Sequence, residues 1–172
     1  MVIHLNKSKF MTKIGVMYYL WRYAGSRAAV SYLGVGKENF LRYIRKIENK
    51  SVNQDKFLLT DKKSADIEKK ILEYLDGKIK SLDLKIAFLS GTEFQKRVWK
   101  SAAAVPYGKT VSYKELAYIS GYSKAWRAVG SALKNNPIIL IVPCHRVINQ
   151  NGKISDFISG KKTKEFLLDL EN

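Results

Sequence analysis

The residues best able to do chemistry in this chain are a cysteine and a histidine that stand side by side in IVPCHRVINQ, residues 141–150. Cys144 is the only cysteine of the chain, and His145 is one of two histidines. Pro143 precedes the pair and Arg146 follows it. A thiol in this setting could be a packed apolar group, a metal ligand, half of a disulfide or a nucleophile.

Counting narrows these alternatives. A single cysteine cannot form a disulfide within the chain. Structural zinc sites usually take four cysteine or histidine ligands, and the chain holds one cysteine and two histidines, so we expect no metal. Positive charge close to a thiol favours the thiolate and lowers the thiol pKa. His145 and Arg146 therefore favour a nucleophile over inert packing.

A nucleophilic cysteine–histidine pair normally needs a third group that orients the imidazole. Between Phe94 and Lys153 the only acidic residue is Glu115. The orienting carboxylate is therefore expected from the end of the chain, where the available acids are Asp156, Glu165, Asp169 and Glu171.

The charge of the chain indicates a polyanionic partner. Its 172 residues carry a formal net charge of +16, and from Phe94 to Lys153 ten basic residues stand against one acid. Such a segment is typical of nucleic-acid binding, with a merely solubilising surface as the alternative. No apolar stretch reaches the roughly 18 residues of a membrane helix, and the N-terminus lacks the apolar region of a signal peptide, so an intracellular, cytoplasmic protein is expected.

Residues 1–90 are predicted to form a small α+β scaffold domain without a catalytic motif. Hydrophobic periodicity predicts two strands, a helix, a second helix and a further strand, in residues 12–36, 37–47, 64–77 and 82–89. The second helix is expected to end at Gly77 and to bury Ile67, Ile71, Leu72 and Leu75.

Residues 91–172 form the second predicted domain, and capping signals locate its first two helices. Thr92 with Gln95, and Ser112 with Glu115, match the capping-box pattern. The inward faces of these helices are expected to contain Phe94, Val98, Trp99, Ala102, Leu116 and Ile119.

The second and third helices of this domain match a helix-turn-helix, whose second helix usually enters a DNA groove. Gly121 is predicted to stop the first of the two, and Ser123 to cap the helix 124–136 before Pro137. The apolar run PIILIV is then predicted to be a strand that leads to Cys144. The chain ends in a predicted helix with inward-facing Phe166, Leu167 and Leu170.

Five segments of this domain resemble, in order and with compatible spacing, the O6-alkylguanine-DNA alkyltransferases (methylated-DNA–protein-cysteine methyltransferases). They are FQKRVW, VPYGKTVSYKELA, RAVGSALKNNP, ILIVPCHRVI and KEFLLDLE, and they extend from Phe94 to Glu171. The resemblance implies an α+β fold, in which a small ribonuclease-H-like α/β module precedes a winged-helix-like helix-turn-helix domain that carries the active-site cysteine. It implies no cofactor.

The resemblance also implies a role for each matching residue of the site. Cys144 matches the nucleophile that takes the alkyl group from O6 of guanine, and His145 the group that accepts the thiol proton through a water. Glu171 matches the carboxylate that orients the histidine, and Asn136 the hinge residue near the thiolate. Tyr113 matches the residue that donates a hydrogen bond or a proton to N3 of the leaving guanine.

Contacts with DNA carry over in the same way. Arg127 matches the finger that fills the gap left by a flipped nucleotide, on a helix that enters the minor groove. The expected DNA-binding residues are Tyr113, Lys114, Ser123, Arg127 and Ser131. Trp126 stands where the family prefers a small residue, and we expect its side chain to turn away into a core.

The pocket for the alkylated base is expected to include Val147, Phe157, Ile158 and Ser159. The loop that supplies most of it, KISDFISGKK, departs from the family pattern. Phe157 stands where a tyrosine is usual, and Ile158 where a serine helps to hold O6. This loop is expected to decide which lesions the pocket accepts.

The implied function is the repair of double-stranded DNA that bears O6-alkylguanine, with O4-alkylthymine as a further candidate lesion. The alkyl group would end on Cys144 as a thioether, so that a monomer acts once per lesion, largely independently of DNA sequence and away from membranes. The alternatives are an alkyltransferase-like protein that binds the damaged base without transfer, an altered lesion range caused by the loop 155–159, a cysteine–histidine hydrolase and a transcription regulator.

Overall fold

Two units make up the computed structural model, which describes residues 2–50 and 56–172. The first unit is Met1–Ser90 and the second is Gly91–Asn172. No helix in the described ranges is both long enough and apolar enough to cross a membrane.

The first unit is built on a five-stranded sheet. Its strands are β1 (Val2–Thr12), β2 (Gly15–Ala24), β3 (Arg27–Val35), β4 (Lys56–Asp61) and β5 (Lys85–Ile86). The strand order is β4-β1-β2-β3-β5. β1, β2 and β3 are antiparallel neighbours, whereas β4 runs parallel to β1 and β5 parallel to β3.

The sequence predicts only part of this sheet. The two strands predicted in residues 12–36 are confirmed as β2 and β3, and the strand predicted over 82–89 is reduced to the two residues of β5. β1 and β4 are missed. The inward face of β1 begins with Ile3 and Leu5 and continues with two lysines, so the apolar alternation is too short to indicate a strand. β1 is fixed instead by the partner strands on both of its sides.

Two helices pack against this sheet, α1 (Lys37–Lys50) and α2 (Ala65–Leu75). The core beside α1 contains Ile3, Leu5, Leu20, Tyr32, Phe40, Tyr43, Ile44 and Ile47. α2 ends as predicted before Gly77, which has a φ of 72°. The prediction for Leu72 is wrong, because this side chain is 42% exposed and Tyr74 is buried in its place.

Four helices and a short ladder form the second unit. Its elements are α3 (Glu93–Ala103), β6 (Val111–Ser112), α4 (Tyr113–Ile119), α5 (Trp126–Lys134), β7 (Val147–Ile148) and α6 (Lys161–Glu171). β6 and β7 pair in parallel. Both predicted capping boxes are confirmed, at Thr92 before α3 and at Ser112 before α4. Trp99 of α3 donates a hydrogen bond from its ring nitrogen to the carbonyl of Ala132 in α5, at 2.8 Å.

Details of the helix-turn-helix, which consists of α4 and α5, differ from the prediction. α5 begins at Trp126 with Ala125 as the N-cap, and no side chain caps it, so Ser123 is not the cap. Residues 122–125 form a turn closed by a hydrogen bond between the ends of the segment, which delays the helix. Ile119 is 55% exposed because α4 buries the face through Leu116 and Ala117.

The buried face of α3 also differs in one position from the prediction. Val98, Trp99 and Ala102 are buried as expected. Phe94 is only half-buried, and its ring lies edge-on to that of Tyr122 with the centroids 4.7 Å apart. The first turn of α3 is therefore at the margin of the core, where a half-exposed aromatic pair covers it.

The apolar run PIILIV is buried but is not a strand. It folds into tight turns, in which Ile141 and Val142 donate backbone hydrogen bonds to Ile139 and Ile138. The side chain of Asn136 closes this segment: its Oδ1 accepts from the backbone N–H of Ile138 at 3.0 Å, and its Nδ2 donates to the carbonyl of Val142 at 2.9 Å. One amide side chain therefore satisfies backbone groups at both ends of this buried segment.

Helix α6 has polar side chains on its buried face. Leu167 is fully buried as predicted, while Phe166 and Leu170 are only half-buried. The other buried positions are Lys164 and Glu171, 1% and 6% exposed. Charged side chains are almost never fully buried unless they are paired, so these two residues indicate a site.

We predict that Asn136→Ala lowers the free energy of unfolding by about 1–3 kcal/mol, because it removes the partner of the buried N–H of Ile138, while the carbonyl of Val142 still accepts from the N–H of Cys144. Asn135→Ala is the matched control, since Asn135 is exposed and makes a single side-chain bond to the carbonyl of Ser131. Urea unfolding measures both variants. Equal losses in the two would contradict the role of Asn136 in closing the segment.

Candidate active site

Cys144 begins a 3₁₀ turn, Cys144–Arg146, directly after the buried apolar segment. Its side chain is buried, with 4% of the residue exposed. Asn136 donates a hydrogen bond from Nδ2 to Sγ at 3.0 Å. The amide that closes the apolar segment therefore also holds the thiol.

The pKa of the Cys144 thiol is raised, whereas the sequence predicts that it is lowered. Burial raises it to about 11, although the hydrogen bond from Asn136 and the positive charge of Lys164 act to lower it. The charges expected to favour the thiolate are those of His145 and Arg146, but burial lowers the pKa of the imidazole and the guanidinium is paired with a carboxylate. The resting protein therefore holds Cys144 as a neutral thiol.

The carboxylate of Glu171 is the centre of the buried polar groups. Four acids near the end of the chain are candidates to orient the imidazole. Glu171 is the one that forms a hydrogen bond with His145, with Oε1 2.7 Å from Nε2. Arg146 donates to the same carboxylate, from Nε to Oε2 at 2.8 Å and from Nη2 to Oε1 at 3.0 Å. The guanidinium also donates to the carbonyl of Val105. A buried charge is tolerated when it is paired and hydrogen-bonded, and both conditions hold here.

His145 has one ring nitrogen that is bonded and one that is available. The carboxylate of Glu171 can only accept, so Nε2 carries the hydrogen. Nδ1 then keeps its lone pair, and among residues 2–50 and 56–172 this buried atom has no hydrogen-bond partner. Burial lowers the pKa of the ring, against the raising effect of Glu171. The imidazole is thus a neutral base with a free lone pair inside the protein.

The turn PYGKT also takes part, through its glycine. The N–H of Gly108 donates to Oε2 of Glu171 at 3.1 Å. Gly108 has a φ of 70°, and a Cβ at this position would lie 2.9 Å from the backbone oxygen of Glu171. Only glycine combines this left-handed conformation with so close an approach to the end of α6.

A cavity of about 420 Å³ lies beside helix α5. It contains three of the residues predicted to bind DNA, Tyr113, Arg127 and Ser131, and it is also lined by Trp126, Gly130, Lys134, Asn149, Ser155 and Asp156. The remaining two, Lys114 and Ser123, are exposed and do not line it. The structure therefore brings part of the predicted DNA-binding set to one concave surface.

The expectation that Trp126 turns into a core is wrong. The residue is 40% exposed, and the guanidinium of Arg127 lies over its ring at 4.7 Å from the centroid. Trp126 and Arg127 together form an exposed aromatic and cationic pair at the rim of the cavity.

The residues predicted to form the base pocket do not line this cavity. Val147 is fully buried. Phe157 lies edge-on to the ring of His145, with 6.4 Å between centroids, and Ile158 and Ser159 are half-buried. Phe157 thus covers one side of the imidazole, whereas the cavity opens on the side of Tyr113.

The sequence predicts no role for Lys164 and includes Ser155 only in the atypical loop 155–159, and both residues are found in this site. Lys164 donates from Nζ to the carbonyl of Val147 at 2.6 Å and to Oγ of Ser155 at 3.0 Å. Ser155 in turn lies 2.6 Å from the hydroxyl of Tyr113. The signal for Lys164 was its spacing, because positions three and seven residues apart share a helix face and Leu167 and Glu171 are both buried.

Within the described residues, no group of three or more histidine, cysteine, aspartate or glutamate side chains could hold a metal ion. The buried polar atoms are arranged instead around one thiol, one imidazole and one carboxylate.

The family model and similar relatives of this chain name the same protein family. Residues 93–172 match the family model described as 6-O-methylguanine DNA methyltransferase, DNA binding domain. The methylated-DNA–protein-cysteine methyltransferase of Methanosarcina acetivorans is 43% identical over 138 residues, which cover 79% of this chain and 88% of that protein. The same-named protein of Methanosarcina barkeri is 53% identical over 98 residues, 57% of this chain and 61% of that protein.

Solved structures agree. The crystal structure of O6-methylguanine methyltransferase from Mycobacterium tuberculosis has a TM-score of 0.76 at 29% identity and covers 97% of this chain and 92% of that one. A second structure of a protein from this organism, in complex with DNA, has a TM-score of 0.75 at 31% identity and covers 98% of this chain and 92% of that one. The predicted α+β fold class, a sheet-based unit followed by a helical one, is confirmed.

The helix-turn-helix and the buried cysteine both lie in residues 93–172, the part of the chain that matches the DNA-binding domain model of this family. The extent of the Methanosarcina acetivorans match then shows the family: the chain belongs to the 6-O-methylguanine DNA methyltransferases. The resemblance predicted from the five sequence segments is confirmed.

We predict that the alkylation of Cys144 by iodoacetamide, without DNA, becomes about tenfold faster per pH unit from pH 7 to 10, because burial raises the thiol pKa to about 11 and only the thiolate reacts. The urea-unfolded protein is the control, and its rate should level off near the ordinary cysteine pKa of about 8.5. Mass spectrometry of the Cys144 peptide measures both. A rate in the folded protein that does not change with pH between 6 and 9 would indicate a preformed thiolate.

Proposed function

We propose that this protein repairs O6-alkylguanine in double-stranded DNA by transferring the alkyl group to Cys144. The observation that carries the proposal is the buried thiol next to a neutral imidazole whose Nδ1 is unbonded among the described residues. The methyltransferase names of its relatives and its helix-turn-helix support DNA as the substrate. A reaction that uses a free thiol on DNA also fits an intracellular location, where thiols stay reduced.

Transfer begins with the removal of the thiol proton. His145 accepts it at Nδ1 through a water, and Glu171 stabilises the resulting imidazolium through its bond to Nε2. The thiolate is stabilised by the hydrogen bond from Asn136 and by the positive charge of Lys164, which both lower the pKa of Cys144. These groups offset part of the cost of a buried anion.

In the transfer itself, the sulfur forms a bond to the alkyl carbon while the bond from that carbon to O6 breaks. The electron pair of the broken bond goes to the purine ring. Tyr113, at the wall of the cavity, donates to N3 of the guanine and so stabilises the leaving group. The product is a thioether, which thiol exchange does not reverse, so each molecule acts once.

DNA binding relies on α5 and the basic surface around it. The helix enters the minor groove, and Arg127 occupies the gap left by the flipped nucleotide. Flipping a base costs a few kcal/mol, less when the pair is already weakened by damage. The exposed pair of Trp126 and Arg127 is placed to press against the opened stack. Lys114, Ser123 and Ser131 contact the backbone, where binding is largely independent of sequence.

The lesion range depends on the loop that ends before α6. The base pocket is proposed to include Phe157, Ile158 and Ser159 of this loop, together with Val147. Ile158 offers no hydroxyl to O6 and presents an apolar side chain, so a methyl group is accepted more readily than a polar alkyl group. O4-alkylthymine is a second candidate lesion.

The decisive experiment uses duplex DNA with one O6-methylguanine that carries a radiolabelled methyl group. We predict that the label moves to the Cys144 peptide, with at most one equivalent per protein, and that Cys144→Ser binds the duplex but acquires no label. Turnover beyond one equivalent would exclude a single-use reagent. Tight binding of the wild type without any label would instead show the alternative, a protein that binds the damaged base without transfer.

We predict that Glu171→Gln slows this transfer by about 10- to 100-fold, at or below the lower limit of what a positioned general base contributes, because the amide stabilises the imidazolium less and removes the counter-charge of Arg146. Glu165→Gln, on the same helix and in a surface ion pair 3.8 Å from Lys161, is the matched control and should transfer at the wild-type rate. Single-turnover kinetics measure both. Equal rates for the two variants would remove Glu171 from the mechanism.

A further inference from the structure

Ser155 lies between a buried lysine and the tyrosine at the cavity wall. Its Oγ is 3.0 Å from Nζ of Lys164 and 2.6 Å from Oη of Tyr113. Lys164 is 1% exposed, and its Nζ is also fixed by the carbonyl of Val147 at 2.6 Å. One end of this row of polar atoms is therefore held rigidly in the protein, while the other end is at the cavity.

The directions of these hydrogen bonds follow from what each group can donate. A lysine ammonium only donates, so Ser155 accepts from Lys164. The serine then has one hydrogen to give and one further site at which it accepts. In the free protein either hydroxyl can donate between Ser155 and Tyr113. Once Tyr113 gives its own hydrogen to an acceptor in the cavity, only one direction remains: Lys164 to Ser155, Ser155 to Tyr113.

We propose that the Ser155 hydroxyl is a positioning residue for alkyl transfer: it accepts from Lys164, donates to Oη of Tyr113 and thereby directs the tyrosine hydrogen to N3 of the guanine. This inference rests on the function proposed above. N3 of a purine is an acceptor, so it completes a row of donors that all point the same way.

Such a row of donors strengthens the hydrogen bond from Tyr113 to N3 of the departing guanine. As the bond from carbon to O6 breaks, its electron pair enters the purine and N3 becomes more negative. A hydroxyl that accepts one hydrogen bond donates a stronger one, by about 10–30% per bond. Donors set in place before charge develops lower the barrier. The bond from Ser155 also lowers the pKa of Tyr113, which burial raises overall.

Lys164, the positively charged end of this row, titrates within the pH range in which transfer can be measured. Burial lowers the pKa of Lys164 to about 8, while the charges of Cys144 and Asp156 act to raise it. His145 is the other titratable group that the charge of Lys164 influences. Below pH 8 the ammonium is charged and polarises Ser155 fully, and above pH 8 this effect fades. The advantage of wild type over a variant without the Ser155 hydroxyl should therefore shrink as the pH rises through about 8.

The test compares Ser155→Ala, Ser155→Thr and the control Ser101→Ala, a half-buried serine of α3, in single-turnover transfer from an O6-methylguanine duplex. We expect Ser155→Ala to react about five- to tenfold more slowly, the equivalent of one lost hydrogen bond, with DNA affinity changed less than twofold. Ser155→Thr keeps a hydroxyl and should recover most of the rate. Ser101→Ala should match the wild type. A wild-type rate for Ser155→Ala would overturn the inference.

Two further measurements separate positioning from a general disturbance of the loop. In a Tyr113→Phe background, and on a duplex in which the guanine N3 is replaced by C–H, Ser155→Ala should cause no further loss. A loss that persists in either case would overturn the inference. If the wild type transfers methyl normally but Ser155→Ala does not behave as expected in these comparisons, only the inference about Ser155 is overturned. If the wild type transfers no methyl at all, the proposed function itself is refuted.

Discussion

The second unit depends on the hydrogen bonds and the ion pair that the buried carboxylate of Glu171 forms. It is the last residue of α6, and it accepts hydrogen bonds from His145, Arg146 and Gly108. These donors come from the 3₁₀ turn and from the turn before β6, so three separate segments meet at one charge. Removing one partner of a buried ion pair typically costs about 3–5 kcal/mol, because the other charge is left uncompensated. The position of α6 and the orientation of the imidazole are thus secured together.

This arrangement has a consequence for the thiol. Because Arg146 is paired with Glu171, its charge does not act on Cys144, and burial raises the thiol pKa to about 11. A reagent that acts once gains from this state, because a buried neutral thiol is protected from oxidants and other electrophiles. The groups that favour the thiolate, Asn136 and Lys164, are weaker than burial but are already in place.

The buried lysine connects the two sides of the site. Lys164 acts electrostatically on Cys144, and through Ser155 it reaches Tyr113 at the cavity. In the proposed transfer, attack by sulfur makes the alkylated purine more negative, and this one fixed cation would act on both the sulfur and the purine. Preorganised charge of this kind needs no rearrangement during the reaction.

Local sequence determined a large part of this protein. The capping boxes at Thr92 and Ser112, the helix-turn-helix and the family resemblance all follow from residues that are neighbours in the chain, and so they could be predicted. The prediction that a carboxylate near the C-terminus serves the histidine agrees with the position of Glu171, while the roles of the individual site residues remain proposals.

Only the tertiary structure decided the rest, because burial and electrostatics depend on residues far apart in the chain. Pairing on both sides makes β1 a strand despite its lysines, and one asparagine turns the apolar run PIILIV away from strand geometry. Arg146 looked like an activator of the neighbouring thiol until its partner, 25 positions away, was known. The contacts of Lys164 and Ser155 exist only through the fold, since no local pattern shows that a lysine on a helix and a serine in a loop will meet a tyrosine.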